Sequence, residues 1–186
     1  HHDPVYAAMI ASVDESVGRV MARLDELKLA NNTVLIFSSD NGPESTAAKA
    51  GPQRRDPDAN VTGYDTYYSV GQTGGLRGRK RSVFEGGVRV PFLVRWPARV
   101  KAGTQSAQLI CHTDLMATCA ELLGAKLPAN AGEDSVSMLP ALLGTAGQPL
   151  REAVVHHSIN GSFAIRSDKW KLAFCPGSGG WSAPRP

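Results

Sequence analysis

Thr33-Val34-Leu35-Ile36-Phe37-Ser38-Ser39-Asp40-Asn41-Gly42 is the stretch whose reading decides the fold. It opens as a short apolar run and closes in small or polar residues. A run this short and this apolar reads as a strand buried on both faces, the habit of a central parallel sheet. In open α/β sheets, ligands gather outside the carboxyl ends of the strands. Asp40 and Asn41 stand where the strand stops, so they are candidate oxygen ligands for a hard cation. The same Asp-Asn-Gly triplet is a strong turn signal, and a plain turn is the competing reading.

Upstream, Asp3-Pro4 is a favoured helix start, an Asp N-cap followed by Pro at the first helical position. Met9, Val13, Val17, Val20, Leu24 and Leu27 then recur at spacings of four and three. This is one apolar stripe of an amphipathic helix that should stop between residues 28 and 32. Helix, short turn and buried strand make half of a βαβ crossover. Downstream, residues 43–75 show no usable period, and a loop of that length is usually functional or partly disordered. Its Tyr64, Tyr67 and Tyr68 are read as packing anchors. Residues 88–97 read as a strand interrupted by Pro91 and closed by Pro97. Residues 113–124 read as a helix with Leu115, Met116, Cys119, Leu122 and Leu123 on one face and Gly124 as its stop. A turn or two of helix is expected over 137–143. Past a Gly/Pro-rich link, residues 153–156, 162–166 and 169–174 are short strand-like pieces, the last two joined as a hairpin at Ser167-Asp168.

The bulk properties agree with a soluble globular chain. At 186 residues it is long enough for one domain with a sizeable core. No apolar stretch is long enough to span a bilayer, and no signal-peptide pattern opens the sequence. A net charge of +3 does not by itself call for a nucleic-acid partner. Cys111, Cys119 and Cys175 have neither metal-ligand spacing nor an even count, which argues against a complete disulfide framework. Asn31, Asn60 and Asn160 open N-glycosylation triplets, which are common by chance.

The charge is concentrated. Residues 74–89 read Gly-Gly-Leu-Arg-Gly-Arg-Lys-Arg-Ser-Val-Phe-Glu-Gly-Gly-Val-Arg, with glycines flanking Arg77, Arg79, Lys80 and Arg81. Glycine permits close backbone approach, and Lys or Arg supplies charge for a sulfate or phosphate oxyanion. A solvated basic loop is the plainer reading of that stretch alone.

Taken together, Tyr6-Ala-Ala-Met-Ile, Asp14-Glu-Ser-Val-Gly18, the strand ending in Asp-Asn-Gly, Leu-Arg-Gly-x-Lys and Glu-Gly-Gly-Val-Arg-Val-Pro closely resemble the type I sulfatases. These are the arylsulfatase branch of the alkaline phosphatase superfamily. The resemblance runs from Tyr6 to about Leu143 and continues more weakly through Ile165-Arg166 to Lys171-Leu172. It implies an alkaline phosphatase-like α/β fold with a mixed sheet flanked by helices, here partial. Residues 1–150 would be the C-terminal part of the catalytic core, and residues 151–186 the beginning of a small antiparallel subdomain.

The resemblance also implies roles. Asp40 and Asn41 match calcium ligands, and Lys80 matches the lysine that contacts the sulfate group. Glu85 to Arg89 match a segment that shapes the loop behind it, with Arg89 read as a partner for a nearby carboxylate. His156 and His157 alternate on a strand, so at most one faces the cleft; His156 is the candidate substrate contact. The family's nucleophile, a formylglycine made from Cys or Ser in Cys/Ser-x-Pro-x-Arg, has no counterpart in the sequence, nor has its first Asp-Asp metal pair. The chain therefore reads as the C-terminal part of a sulfatase and is expected to be inactive alone. The intact protein would hydrolyse a sulfated small molecule or carbohydrate, with calcium and formylglycine, in the periplasm or outside the cell. The rivals are a phosphodiesterase or phosphonate hydrolase of the same superfamily and a non-enzymatic basic binding module.

Overall fold

The computed structural model describes residues 4–44 and 71–180. The Asp3 N-cap and the three tyrosines at 64, 67 and 68 lie outside them.

Helix α1 spans Pro4–Glu26. Lys28 follows it at φ 58, in the left-handed region. Leu29 N–H donates to Leu24 O at 2.9 Å and Lys28 N–H to Asp25 O at 3.0 Å. Those two bonds form a Schellman closure, with a lysine where glycine or asparagine is usual. The helix is where its stripe predicts, but no residue of it is buried. Met9, Val13, Val20 and Leu27 are exposed. Periodicity reports which face is apolar; it does not report what covers that face.

After a 3-10 turn at Ala30–Asn32 comes β1, Leu35–Ser38. It pairs with β2, Phe92–Arg95, in the register Leu35↔Arg95 to Ser38↔Phe92. The pairing is antiparallel, which corrects the reading of a parallel, doubly buried strand. Phe37 and Leu93 are exposed. An apolar run shows that a strand can be buried, while pairing direction comes from a neighbour remote in sequence. The ladder is tied to α1 by the Arg95–Asp25 ion pair at 2.9 Å and to the 3-10 turn by Trp96 Nε1 donating to Asn31 O at 3.2 Å.

Between the two strands, Glu85–Val88 folds into one helical turn, α2, instead of opening the strand expected from residue 88. Helix α3 is Asp114–Leu122, closed at Gly124 with φ 64, and α4 is Leu139–Leu142. The inward face of α3 is not the apolar one predicted: Asp114, Thr118 and Ala120 are buried, while Met116 and Leu123 are exposed. Asp114 is the first residue of α3. It accepts Cys111 N–H at 2.8 Å and Val136 N–H at 3.0 Å, and pairs with the Arg151 guanidinium. One carboxylate thus joins three segments distant in sequence.

The last unit is the antiparallel sheet β3 (Val154–His157), β4 (Phe163–Ser167) and β5 (Trp170–Ala173), with β4 central. Its strands and its hairpin at Asp168 lie where the sequence puts them. The two faces differ in kind. Val154, His156, Ala164, Arg166 and Lys171 share one, with Val154 and Ala164 buried. Val155, Leu172, Trp170 and Phe163 lie on the other and are exposed.

Asp114 and Arg151 have side-chain exposures of 1% and 9%. Removing one charge from a buried pair strands the other. Asp114→Asn is expected to lower unfolding stability in urea by roughly 3 kcal/mol, whereas exposed Glu121→Gln leaves it within about 0.5 kcal/mol.

Candidate sulfate and metal site

The site is assembled by backbone contact through glycine. Gly42 N–H, just past Asp40-Asn41, donates to Gly87 O of α2 at 2.8 Å. Gly86 N–H donates to Arg77 O at 2.7 Å, and Lys80 N–H to Pro43 O at 2.9 Å. A Cβ on Gly42 would overlap Gly86 O, one on Gly86 would overlap Gly78 O, and one on Gly87 would press on Arg79 O and Ser82 O. The end of β1, the turn α2 and the cationic loop at 77–82 are therefore stacked main chain on main chain, a distance only glycine allows. The structure brings the Lys80 loop to the strand end that carries Asp40 and Asn41. Asp40 is exposed and Asn41 half-buried. Ser38 Oγ fastens the same strand end, donating to Pro91 O at 2.8 Å and lying 2.9 Å from His112 Nε2.

The cationic loop is structured, unlike a solvated basic loop. Arg77 lies over the Phe84 ring, 4.1 Å from its centroid, at cation–π distance. Arg79 donates to Gly71 O at 2.9 Å. Arg81 pairs with Glu44, and burial lowers its pKa. Arg81 also sits at φ 71, a left-handed conformation that costs a non-glycine residue about 1 kcal/mol or more. Lys80 Nζ stands 3.7 Å from Glu44 Oε2, with its side chain 37% exposed. Glu44 was not singled out from sequence; it lies two residues past the Asp-Asn-Gly turn, and nothing in its spacing shows that the loop returns to it.

His156 is on β3. It lies among charged groups of the C-terminal sheet, close to Glu85. The Glu85 carboxylate pairs with Arg166 of β4 and accepts from Lys171 Nζ of β5 at 2.8 Å. Burial works to raise the Glu85 pKa, but the Lys171 hydrogen bond and the charges of Lys171 and Arg166 outweigh it, and the pKa is lowered. Burial lowers the His156 pKa to about 4; Lys171 and Arg166 add to this, and Glu85 opposes it. His156 Nε2 is buried with no hydrogen-bond partner among the described residues. His157 lies on the opposite face, its ring 4.9 Å from that of Phe163. Arg89 is exposed and makes no ion pair among the described residues; the Glu85 carboxylate is met by Arg166 and Lys171. A hollow of about 300 Å³ lined by Asp25, Lys28, Asn31 and Arg95 lies at the opposite end of the β1–β2 ladder, where Arg95 and Asp25 already satisfy each other.

Asp40 and Asn41 offer hard oxygen donors only, which suits calcium. They do not complete a shell, since calcium takes about six to eight oxygens. No group of three or more metal-ligating His, Cys, Asp or Glu occurs among the described residues.

Residues 1–125 match the sulfatase family, and residues 78–176 match the C-terminal region of the N-sulphoglucosamine sulphohydrolase family. The chain belongs to the sulfatase family. Among its relatives, the N-acetylgalactosamine-6-O-sulfatase of Bacteroides thetaiotaomicron is 37% identical over 163 residues, covering 88% of this chain and 30% of that protein. Bovine arylsulfatase A is 35% identical over 170 residues, covering 89% and 29%. The crystal structure of the PsFucS1 sulfatase from Pseudoalteromonas superposes with a TM-score of 0.69 at 31% identity, covering 92% of this chain and 30% of that one. The fold is thus the alkaline phosphatase-like α/β fold of sulfatases, and the chain spans about 30% of the length of the relatives it matches.

The ordinary His156 value is 6.5 and the folded value about 4, so between those pH values the unfolded chain binds a proton that the folded chain rejects. Stability should therefore fall as pH drops through that window. In urea unfolding from pH 7 to 4, His156→Gln should flatten the dependence between about 6.5 and 4.5. The further loss below the ordinary carboxylate range, as Glu85 protonates, should remain.

Proposed function

We propose that this chain supplies the calcium-ligand and sulfate-contacting part of a sulfatase that hydrolyses a sulfated carbohydrate. The observation that carries the reading is the pair of backbone bonds, Gly42 N–H to Gly87 O at 2.8 Å and Lys80 N–H to Pro43 O at 2.9 Å. They hold a lysine beside a strand end that carries two oxygen donors. Asp40 and Asn41 would contribute ligands to a calcium ion, which when bound would neutralise charge on the sulfate oxygens. Lys80 would place its ammonium against those oxygens as negative charge builds on them. A pre-positioned cation needs no reorganisation when the ester bond breaks. Glu44 pairs with the neighbouring Arg81 and stands 3.7 Å from the lysine ammonium.

The carbohydrate assignment is supported by the relatives, one of which is named for N-acetylgalactosamine-6-O-sulfate. We further propose that residues 1–150 form part of the catalytic core and residues 151–186 begin an antiparallel subdomain. That the β1–β2 and β3–β5 sheets share no strand supports this division. A formylglycine nucleophile is assigned to the intact protein on family membership; no Cys/Ser-x-Pro-x-Arg occurs in these 186 residues. A periplasmic or secreted location rests on the family resemblance alone. No described helix is long and apolar enough to cross a membrane.

Three measurements test the reading. The purified 186-residue chain should not turn over 4-nitrophenyl sulfate. In the intact protein, Lys80→Ala should lower kcat/KM for a sulfated sugar by roughly 10²–10³-fold with calcium content unchanged. Asp40→Ala should remove calcium and activity together; an Asp40→Ala protein that keeps both would refute the site.

A further inference from the structure

The sheet β3–β5 does more than follow the catalytic segment in sequence. Its inward face reaches α2 through Arg166 and Lys171, which grip the Glu85 carboxylate from two adjacent strands. The segment after β5 makes a second contact. Val83 N–H donates to Ser178 O at 3.0 Å, and Gly180 lies so close to Arg81 O that a Cβ there would overlap it. Ser158 Oγ, at the end of β3, holds that segment by donating to Gly179 O. Val83 and Ser178 are fully buried at this junction. The loop bearing Lys80 is thus clamped on one side by the β1 end and on the other by the C-terminal sheet and its tail.

We propose that Glu85 is a positioning residue, through which the C-terminal antiparallel sheet holds the Lys80 loop and the Asp40-Asn41 strand end in register. This rests on the sulfatase site reading for its functional consequence, and on geometry for its mechanical one. The route is short and entirely backbone beyond the carboxylate. Glu85 is the first residue of α2, Gly86 N–H grips Arg77 O, and Gly87 O accepts Gly42 N–H. Displacing Glu85 moves both partners of α2 at once. The charged and titratable groups facing Glu85 are Arg166 of β4, Lys171 of β5 and His156 of β3. Two cations against one carboxylate, with the imidazole neutral at physiological pH, make a grip that uncharged glutamine does not reproduce. The inward cations of the sheet are therefore part of the sulfate site although neither touches the ester.

Amide hydrogen exchange on the 186-residue chain tests the mechanical claim without any activity. In Glu85→Gln, the amides of Gly42, Lys80, Gly86 and Gly87 should exchange at least ten-fold faster than wild type, while those of α3 keep their rates. Lys171→Met should show the same pattern, and Lys171→Arg should restore it. Wild-type exchange at those four amides in Glu85→Gln overturns the proposal, as does an equal acceleration across α3. If Glu85→Gln does not fold, Lys171→Met, which keeps the Arg166 pair, decides by the same criterion. In the intact protein, Glu85→Gln should raise KM for a sulfate ester more than it lowers kcat. If exchange responds as stated but Lys80→Ala leaves turnover unchanged, the clamp stands and the site reading fails.

Discussion

Everything in the candidate site hangs on main chain packed against main chain at α2. Gly86 and Gly87 have no side chains to hold the neighbouring segments apart, so Gly42 on one side and Arg77 on the other approach at hydrogen-bonding distance. Backbone bonds are directional and cannot re-pair without moving a whole segment. That gives Asp40, Asn41 and Lys80 fixed addresses even though their own side chains stand in partly open surroundings. Sulfatase chemistry needs this kind of support, because a cation helps an oxyanion only when it is already in place.

Charge does the complementary work. Glu44 and Glu85 flank the cationic loop in sequence, the first pairing with Arg81 and the second with Arg166 and Lys171. Each carboxylate neutralises cations that structure the site, and Lys80 remains at longer range from Glu44. Away from the site, Asp114 and Arg151 do for the α3 region what Glu85 does for the loop: one buried carboxylate satisfies backbone donors and a guanidinium from segments far apart in sequence. Both clusters are costly to break singly, since a stranded charge keeps its desolvation penalty.

The local elements were largely legible. The stripe of α1, the stop at Gly124 and the three C-terminal strands with their hairpin all depend on short-range period and turn chemistry, and all stand where expected. The direction of β1 pairing and the inward face of α3 were misread. Each depends on which distant residue arrives. Asp114 turns a nominally polar helix face inward because Arg151 is there to meet it. The four-residue helix α2 escaped notice because two glycines make it a poor helix by propensity, and it is held by contacts to its neighbours.

The sequence alone determined the family and the site's chemical vocabulary: a strand ending in Asp40-Asn41-Gly42, a glycine-framed lysine, and a Glu-Gly-Gly segment in fixed order. These are legible because each is a local run whose residue types are marked by backbone geometry or by charge. Only the tertiary structure decided that Gly42, Gly86 and Gly78 are consecutive layers of one stack, and that Glu85 belongs to the sheet formed some 80 residues later. The physical reason is that a missing Cβ or a lone carboxylate carries no label for its partner. Its meaning appears only when another segment arrives within about 3 Å.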